Sequence, residues 1–185
     1  EDNGIPVDYV TGTSMGAIVG GLYACGYSPA EMLELIESRS FSYWSTGRID
    51  ESLVYYFSRP EPTPALYSVN VPSKRDRRGG GSPVPTSLIS PLPMNFAFMD
   101  LFAPYTAQCG GRFDRLFVPF RCVASDVVGK HKVVLGSGSV GDAIRASMSF
   151  PIVFQPTEID STMLYDGGIY DNFPVDVMRD EFHPD

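Results

Sequence analysis

The stretch Val7-Asp8-Tyr9-Val10-Thr11-Gly12-Thr13-Ser14-Met15-Gly16-Ala17-Ile18-Val19-Gly20-Gly21 constrains the chain most. An apolar strand pattern passes through Gly12-Thr13-Ser14-Met15-Gly16 into a helix built of small residues. A Gly-x-Ser-x-Gly turn in that context is the sequence form of a nucleophile elbow. Gly12 and Gly16 are read as positions where the turn is too tight for side chains. The serine is expected in a strained backbone geometry that lifts its hydroxyl clear of the sheet edge. The following helix directs its positive end at Ser14, where negative charge develops in acyl transfer. Ser14 is therefore the candidate nucleophile, with Gly12, Met15 and Gly16 as elbow and oxyanion support.

Other function classes are narrowed by composition. A chain of 185 residues is long enough for one domain with a sizeable core. Its net charge of −8 argues against nucleic acid as the main partner. No window approaches the roughly 18 apolar residues that a membrane-spanning helix needs. Cys25, Cys109 and Cys122 have no C-x-x-C spacing and no clustered histidines, so neither a disulfide framework nor a metal site is expected. No cofactor is implied. The chain opens on Glu1-Asp2-Asn3-Gly4 without a signal pattern, and the compartment stays open.

Read in order, residues 5–13 form a strand and 15–25 a buried helix capped near Gly26. Ser28, Pro29 and Glu31 make a capping box that starts a second helix, ending near Arg39. Two helices after one strand indicate an α/β layer architecture. Residues 53–57 and 65–69 are candidate short strands. Nine of the chain's 16 prolines fall between Pro60 and Pro104, which argues against regular helix across much of that span. Residues 58–108 are accordingly read as a Pro-rich covering region. Lys74-Arg75-Asp76-Arg77-Arg78 within it reads as a solvated loop, ahead of a contact with anionic headgroups. The aromatic, Met-rich residues 94–105 suit core slightly better than a lipid-facing cap. Strand patterns return at 116–125 and 132–135, the latter a hairpin neighbour. Ser139 and Asp142 start a helix that stops before Pro151. Residues 163–165 end a strand at Asp166-Gly167-Gly168, and Asn172-Phe173-Pro174 opens a last helix.

A serine hydroxyl needs a positioned base. The chain has two histidines. His131 lies in the charged turn Gly129-Lys130-His131-Lys132, and His183 lies two residues from the last position. The order Ser14, Asp166, His183 matches that of α/β-hydrolase triads, which keeps a triad open. The other candidate base is Asp166 itself, closing an apolar strand before two glycines that permit close approach. A carboxylate is a weak base, and it serves when it is desolvated against its partner and already positioned.

Gly12-Thr13-Ser14-Met15-Gly16, then Ala146-Ser147-Met148-Ser149-Phe150-Pro151, then Asp166-Gly167-Gly168-Ile169 with Asn172-Phe173-Pro174, resemble the successive signature blocks of the patatin-like phospholipases. The resemblance implies a three-layer α/β/α fold with a mostly parallel sheet and lipid acyl hydrolysis by a Ser–Asp dyad without histidine. Carried over, Ser14 is the nucleophile and Asp166 the base that also orients it, while Gly167 and Gly168 are structural near the site. The family's oxyanion loop, of the form G-G-G-x-[RK]-G, precedes the serine. Gly79-Gly80-Gly81 follows it and cannot substitute. Residues 1–185 therefore read as one patatin-like domain truncated at both ends. The implied partner is a lipid or other acyl ester, with peripheral membrane contact in view and the oligomeric state open. Two further readings are carried: a non-catalytic module of the same fold that binds lipid or protein, and an esterase or thioesterase for soluble acyl compounds.

Overall fold

In a computed structural model, residues 4–55 and 87–184 are described. Strand β1 (Val10–Thr13) enters helix α1 (Met15–Ala24) directly, and α2 (Pro29–Glu37) and α3 (Arg39–Thr46) follow. Next come α4 (Leu92–Cys109), β2 (Phe120–Asp126), β3 (His131–Leu135), α5 (Val140–Ser147), β4 (Thr157–Ile159), β5 (Thr162–Asp166) and α6 (Val175–Phe182). The capping box of α2 forms as expected, with Glu31 N–H donating to Ser28 Oγ and Ser28 N–H to Glu31. The second helix ends at Glu37, because Ser38 turns extended and caps α3 by accepting from Phe41 N–H.

The five strands form a mixed sheet. β1 pairs with β2 in parallel, whereas β2/β3, β2/β5 and β4/β5 are antiparallel. The α/β class stands, but the described pairings are not mostly parallel. Alternation along β1 aims Val10 and Gly12 at α1, and Thr11 and Thr13 at the chain leading into α6. Thr11 Oγ1 donates to Pro174 O (3.3 Å) and Thr13 Oγ1 to Asp171 O (2.9 Å). On the α1 face the small residues allow close contact: a Cβ on Gly20 would lie 2.8 Å from Val10 Cγ1. α1 and α5 thus cover one face and α6 the other, giving three layers.

The covering region needs a correction. Its end, residues 92–109, is an 18-residue helix despite Pro93 and Pro104. Pro93 falls in the first turn, where its missing N–H has no intrahelical acceptor to lose. Pro104 interrupts the interior, and tertiary packing outweighs that loss. Met94, Phe98, Phe102 and Cys109 are buried along one stripe, while Phe96 and Met99 stay exposed. The stretch 94–105 is thus chiefly core, packed on α5. Residues 51–53 form a single 3₁₀ turn rather than a strand. The basic cluster 74–78, the triglycine and the candidate strand at 65–69 lie outside the described residues. Among the described residues no helix is long and apolar enough to cross a membrane.

Candidate active site

Strand β2 supplies the frame. Its residues 122–126 pair with β3 on one edge, so both remaining partners lie on the other. Along that second edge β1 occupies Phe120–Val123 and β5 occupies Ala124–Asp126. β1 runs parallel to β2 and β5 antiparallel, so their C-terminal ends meet head to head. Thr13 is paired with Val123 and Asp166 with Ala124, adjacent positions. Residues 152 apart in sequence are thereby brought into contact.

The contact is direct: Ser14 Oγ donates to Asp166 Oδ2 at 2.6 Å. Ser14 has φ 55° and ψ −120°, a conformation that costs a non-glycine residue about 1–3 kcal/mol. Its carbonyl accepts from Ala17 N–H (2.9 Å) and Ile18 N–H (3.2 Å), so the strained residue opens α1. Asp166 is 5% exposed. Its Oδ1 accepts from Gly168 N–H at 2.7 Å, which leaves Oδ2 facing the serine. Gly167 passes so close to β2 that a Cβ there would lie 2.7 Å from the Val123 carbonyl carbon. Gly168 also faces Asn172, whose Oδ1 would lie 3.0 Å from an added Cβ. Met15, at the N-terminus of α1, is 53% exposed.

The histidines lie elsewhere. His183 caps the end of α6. Its neighbour Phe182 stacks on Tyr9, with ring centroids 4.6 Å apart. Tyr9 precedes β1 and Ser14 follows it, five extended residues or roughly 16 Å away. His131 opens β3 at the exposed hairpin, opposite Asp126. Neither histidine hydrogen-bonds to Ser14 or Asp166.

Other groups at the site carried no role in the sequence reading. Ser147, fully buried at the end of α5, accepts from Ser14 N–H (3.0 Å) and donates to Val123 O (2.6 Å). Ser149 O accepts from Asp166 N–H at 3.0 Å. Arg145, 3% exposed, donates from Nε to Asn95 Oδ1 (2.8 Å) and from Nη1 to Ser149 Oγ (2.8 Å). It faces Phe154, with Cζ 5.0 Å from the ring centroid, and has no acidic partner among the described residues. Burial pushes the guanidinium down to about 10. The available signal was three polar side chains at the end of a short amphipathic helix, where surface placement would be the ordinary expectation.

The chain is 28% identical over 184 residues to a patatin-like phospholipase domain-containing protein of Caenorhabditis elegans, with 96% of this chain and 11% of that protein covered. It is 27% identical over 179 residues to a lysophospholipase of Candida albicans, covering 97% of this chain and 10% of that protein. An NTE family protein of Mycobacterium tuberculosis is 24% identical over 174 residues, covering 94% and 38% respectively. The chain thus spans well under two thirds of these relatives. In fold it matches VipD from Legionella pneumophila, with a TM-score of 0.51 and 15% identity over 90% of this chain and 41% of that one. The family model described as patatin-like phospholipase matches residues 1–179, nearly the whole sequence, and the chain belongs to that family.

Proposed function

We propose that the chain carries the centre of a serine lipid acyl hydrolase, with Ser14 as nucleophile and Asp166 as its general base. The observation that carries this reading is the 2.6 Å bond from Ser14 Oγ to Asp166 Oδ2, made at an elbow with strained backbone. Ser14 Oγ attacks the ester carbonyl while its proton passes to Asp166 Oδ2. The charge on the carbonyl oxygen develops at the N-terminus of α1, where the Met15 N–H is a candidate donor. Collapse breaks the ester bond, and Asp166 returns the proton to the departing alcohol. Water, deprotonated by the same carboxylate, then attacks the acyl-enzyme; the bond from Ser14 Oγ to the acyl carbon breaks, Asp166 passes the proton to Oγ, and the carboxylic acid leaves. Gly12 lets the first turn of α1 close over the elbow, Gly16 leaves the space beside Ser14 open, and Gly167 and Gly168 hold Asp166 against it. Lipid acyl esters are the substrate class that the family and the lysophospholipase relatives support.

In the full-length protein, Ser14→Ala and Asp166→Asn each lower ester turnover by about 10³-fold or more. His183→Ala leaves it within about twofold. A fluorophosphonate probe labels Ser14 in the parent and not in Ser14→Ala. Loss of turnover in His183→Ala as well as in Asp166→Asn installs the Ser14–Asp166–His183 triad instead. A folded parent that takes no label and hydrolyses no micellar or monomeric ester marks a binding module.

A further inference from the structure

Resting on the assignment of Ser14 and Asp166 above, we propose that Ser147 is a positioning residue for that pair. Its hydroxyl holds the Ser14 amide and so maintains the backbone rotation that aims Oγ at Asp166.

The direction of each bond is settled by counting hydrogens. A serine hydroxyl has one proton and two acceptor lone pairs. Ser147 uses the proton on Val123 O at 2.6 Å, so a lone pair faces the Ser14 N–H at 3.0 Å. Val123 is the β2 residue paired with Thr13, the last residue of β1. At that point β1 leaves the ladder to become the elbow. The buried hydroxyl bridges the gap, relaying between an amide of the departing strand and a carbonyl of the strand it leaves. Ser14 holds φ 55° without the freedom of glycine. On its carbonyl side the rotation is held by Ala17 and Ile18 N–H. On its amide side the Ser147 hydroxyl is the acceptor.

The same end of α5 also reaches the other partner. Two residues beyond Ser147, Ser149 O accepts the Asp166 N–H at 3.0 Å. Arg145 Nη1 donates to Ser149 Oγ, and that hydroxyl lies 3.1 Å from Thr157 Oγ1 in β4. The end of α5 and the residue two beyond it therefore hold the backbone amides of both Ser14 and Asp166, in addition to the strand pairing on β2. A consequence follows for the chemistry. The Ser14 N–H is occupied by Ser147 and is withheld from the oxyanion, which leaves that task to other donors, the Met15 amide among them.

The test compares full-length parent with Ser147→Ala and Ser147→Thr, the latter restoring a hydroxyl. The readouts are steady-state hydrolysis of a p-nitrophenyl ester, the rate of fluorophosphonate labelling, and amide hydrogen exchange resolved at Ser14. Ser147→Ala is expected to lower kcat by about 10–100-fold, with KM within about twofold. Exchange at Ser14 accelerates by about tenfold while the amides of β2 and α5 keep their protection. Ser147→Thr recovers most of both losses. Unchanged kcat and unchanged Ser14 exchange in Ser147→Ala overturn the proposal. Equal acceleration across β2, α5 and Ser14 overturns it too, because that pattern belongs to a structural hydroxyl. If Ser147→Ala does not fold, Ser147→Cys gives the same comparison, with a poorer acceptor of similar size. If the parent neither hydrolyses ester nor takes the probe, the hydrolase assignment fails. The exchange experiment still decides whether Ser147 holds the elbow.

Discussion

A Cβ on Gly12 would lie 2.6 Å from the carbonyl carbon of Gly16 and 2.8 Å from Ala17 N, whereas a Cβ on Gly16 would meet no described atom within 4 Å. The two glycines that bracket Ser14 therefore do different work. Gly12 is demanded by packing: the first turn of α1 lies directly over it, and backbone cannot move aside as a side-chain tip does. Gly12→Ala is expected to destabilise the fold by about 3 kcal/mol, at the upper end of the overpacking range. Gly16→Ala stabilises it by about 0.5–1 kcal/mol, because alanine is the better helix former at an exposed helical position. Urea denaturation of both variants checks the contrast, and equal losses would refute it. A Gly16→Ala protein that is stable but inactive would trace the need for that glycine to what approaches Ser14 from outside the described packing. At this scale Ser14 and Asp166 could be singled out in the sequence, one just after a strand and one at a strand's end with glycines nearby, while their pairing was implied by the family resemblance and not by the residues themselves. The separate duties of Gly12 and Gly16 were not legible, because a five-residue motif carries no information about which neighbour lies above it.

Helix α4 shows where reading elements from sequence loses its grip. Pro91, Pro93 and Pro104 signal interruption, and an interior proline costs a helix about 3 kcal/mol. That signal was outweighed by the stripe Met94, Phe98, Phe102 and Cys109, all at most 1% exposed and all packed into the core with Ile144 of α5. Spacing of four, four and seven residues places those side chains on one face, but it could be recognised only by reading through the prolines. β4, three residues long, left no usable pattern at all. By contrast α2, α5 and β5 were legible because caps and strand-ending glycines are local chemistry. Phe98→Ala isolates what outweighs the prolines. With Phe98 1% exposed and its ring 5.8 Å from that of Phe102, truncation is expected to cost about 3–5 kcal/mol. Thermal unfolding with far-ultraviolet circular dichroism measures it. A loss below about 1 kcal/mol would mean that α4 is held by something other than this stripe.

Across the whole molecule the site exists because two strands converge on one edge of β2, a relation between residues 13 and 166 that no local pattern encodes. The reverse face of the sheet is fastened by a different device. Lys132 of β3 pairs with Asp171 (2.8 Å), which follows β5, and with Asp176 in the first turn of α6. Thr13 adds its bond to Asp171 O, so the layer carrying α6 is tied to β1 beside the elbow. The hydrogen bond with Lys132 holds the Asp176 carboxyl below its ordinary value, while desolvation works the other way. Burial lowers the Lys132 ammonium, but its bonds to Asp171 and Asp176 outweigh that and raise it. The signs define a window. A carboxylate depressed on folding contributes stability that is present above its unfolded pKa, near about 4, and is lost as pH falls through the folded value. An ammonium raised on folding contributes stability that is present below about 10.4 and is lost as pH rises further. The tie is therefore complete between those limits and fails first on the acid side. Asp176 is exposed, so the effect is modest and screened by salt. Its shape is the distinguishing feature. Asp176→Asn unfolds at lower urea concentration than the parent from pH 5 to 7, and the two midpoints converge as pH falls through the depressed value of the folded carboxyl. A gap that stays constant to low pH would show that Asp176 acts by packing and not by charge. A gap that survives in 1 M salt would likewise assign it to hydrogen-bond geometry rather than to the ion pair.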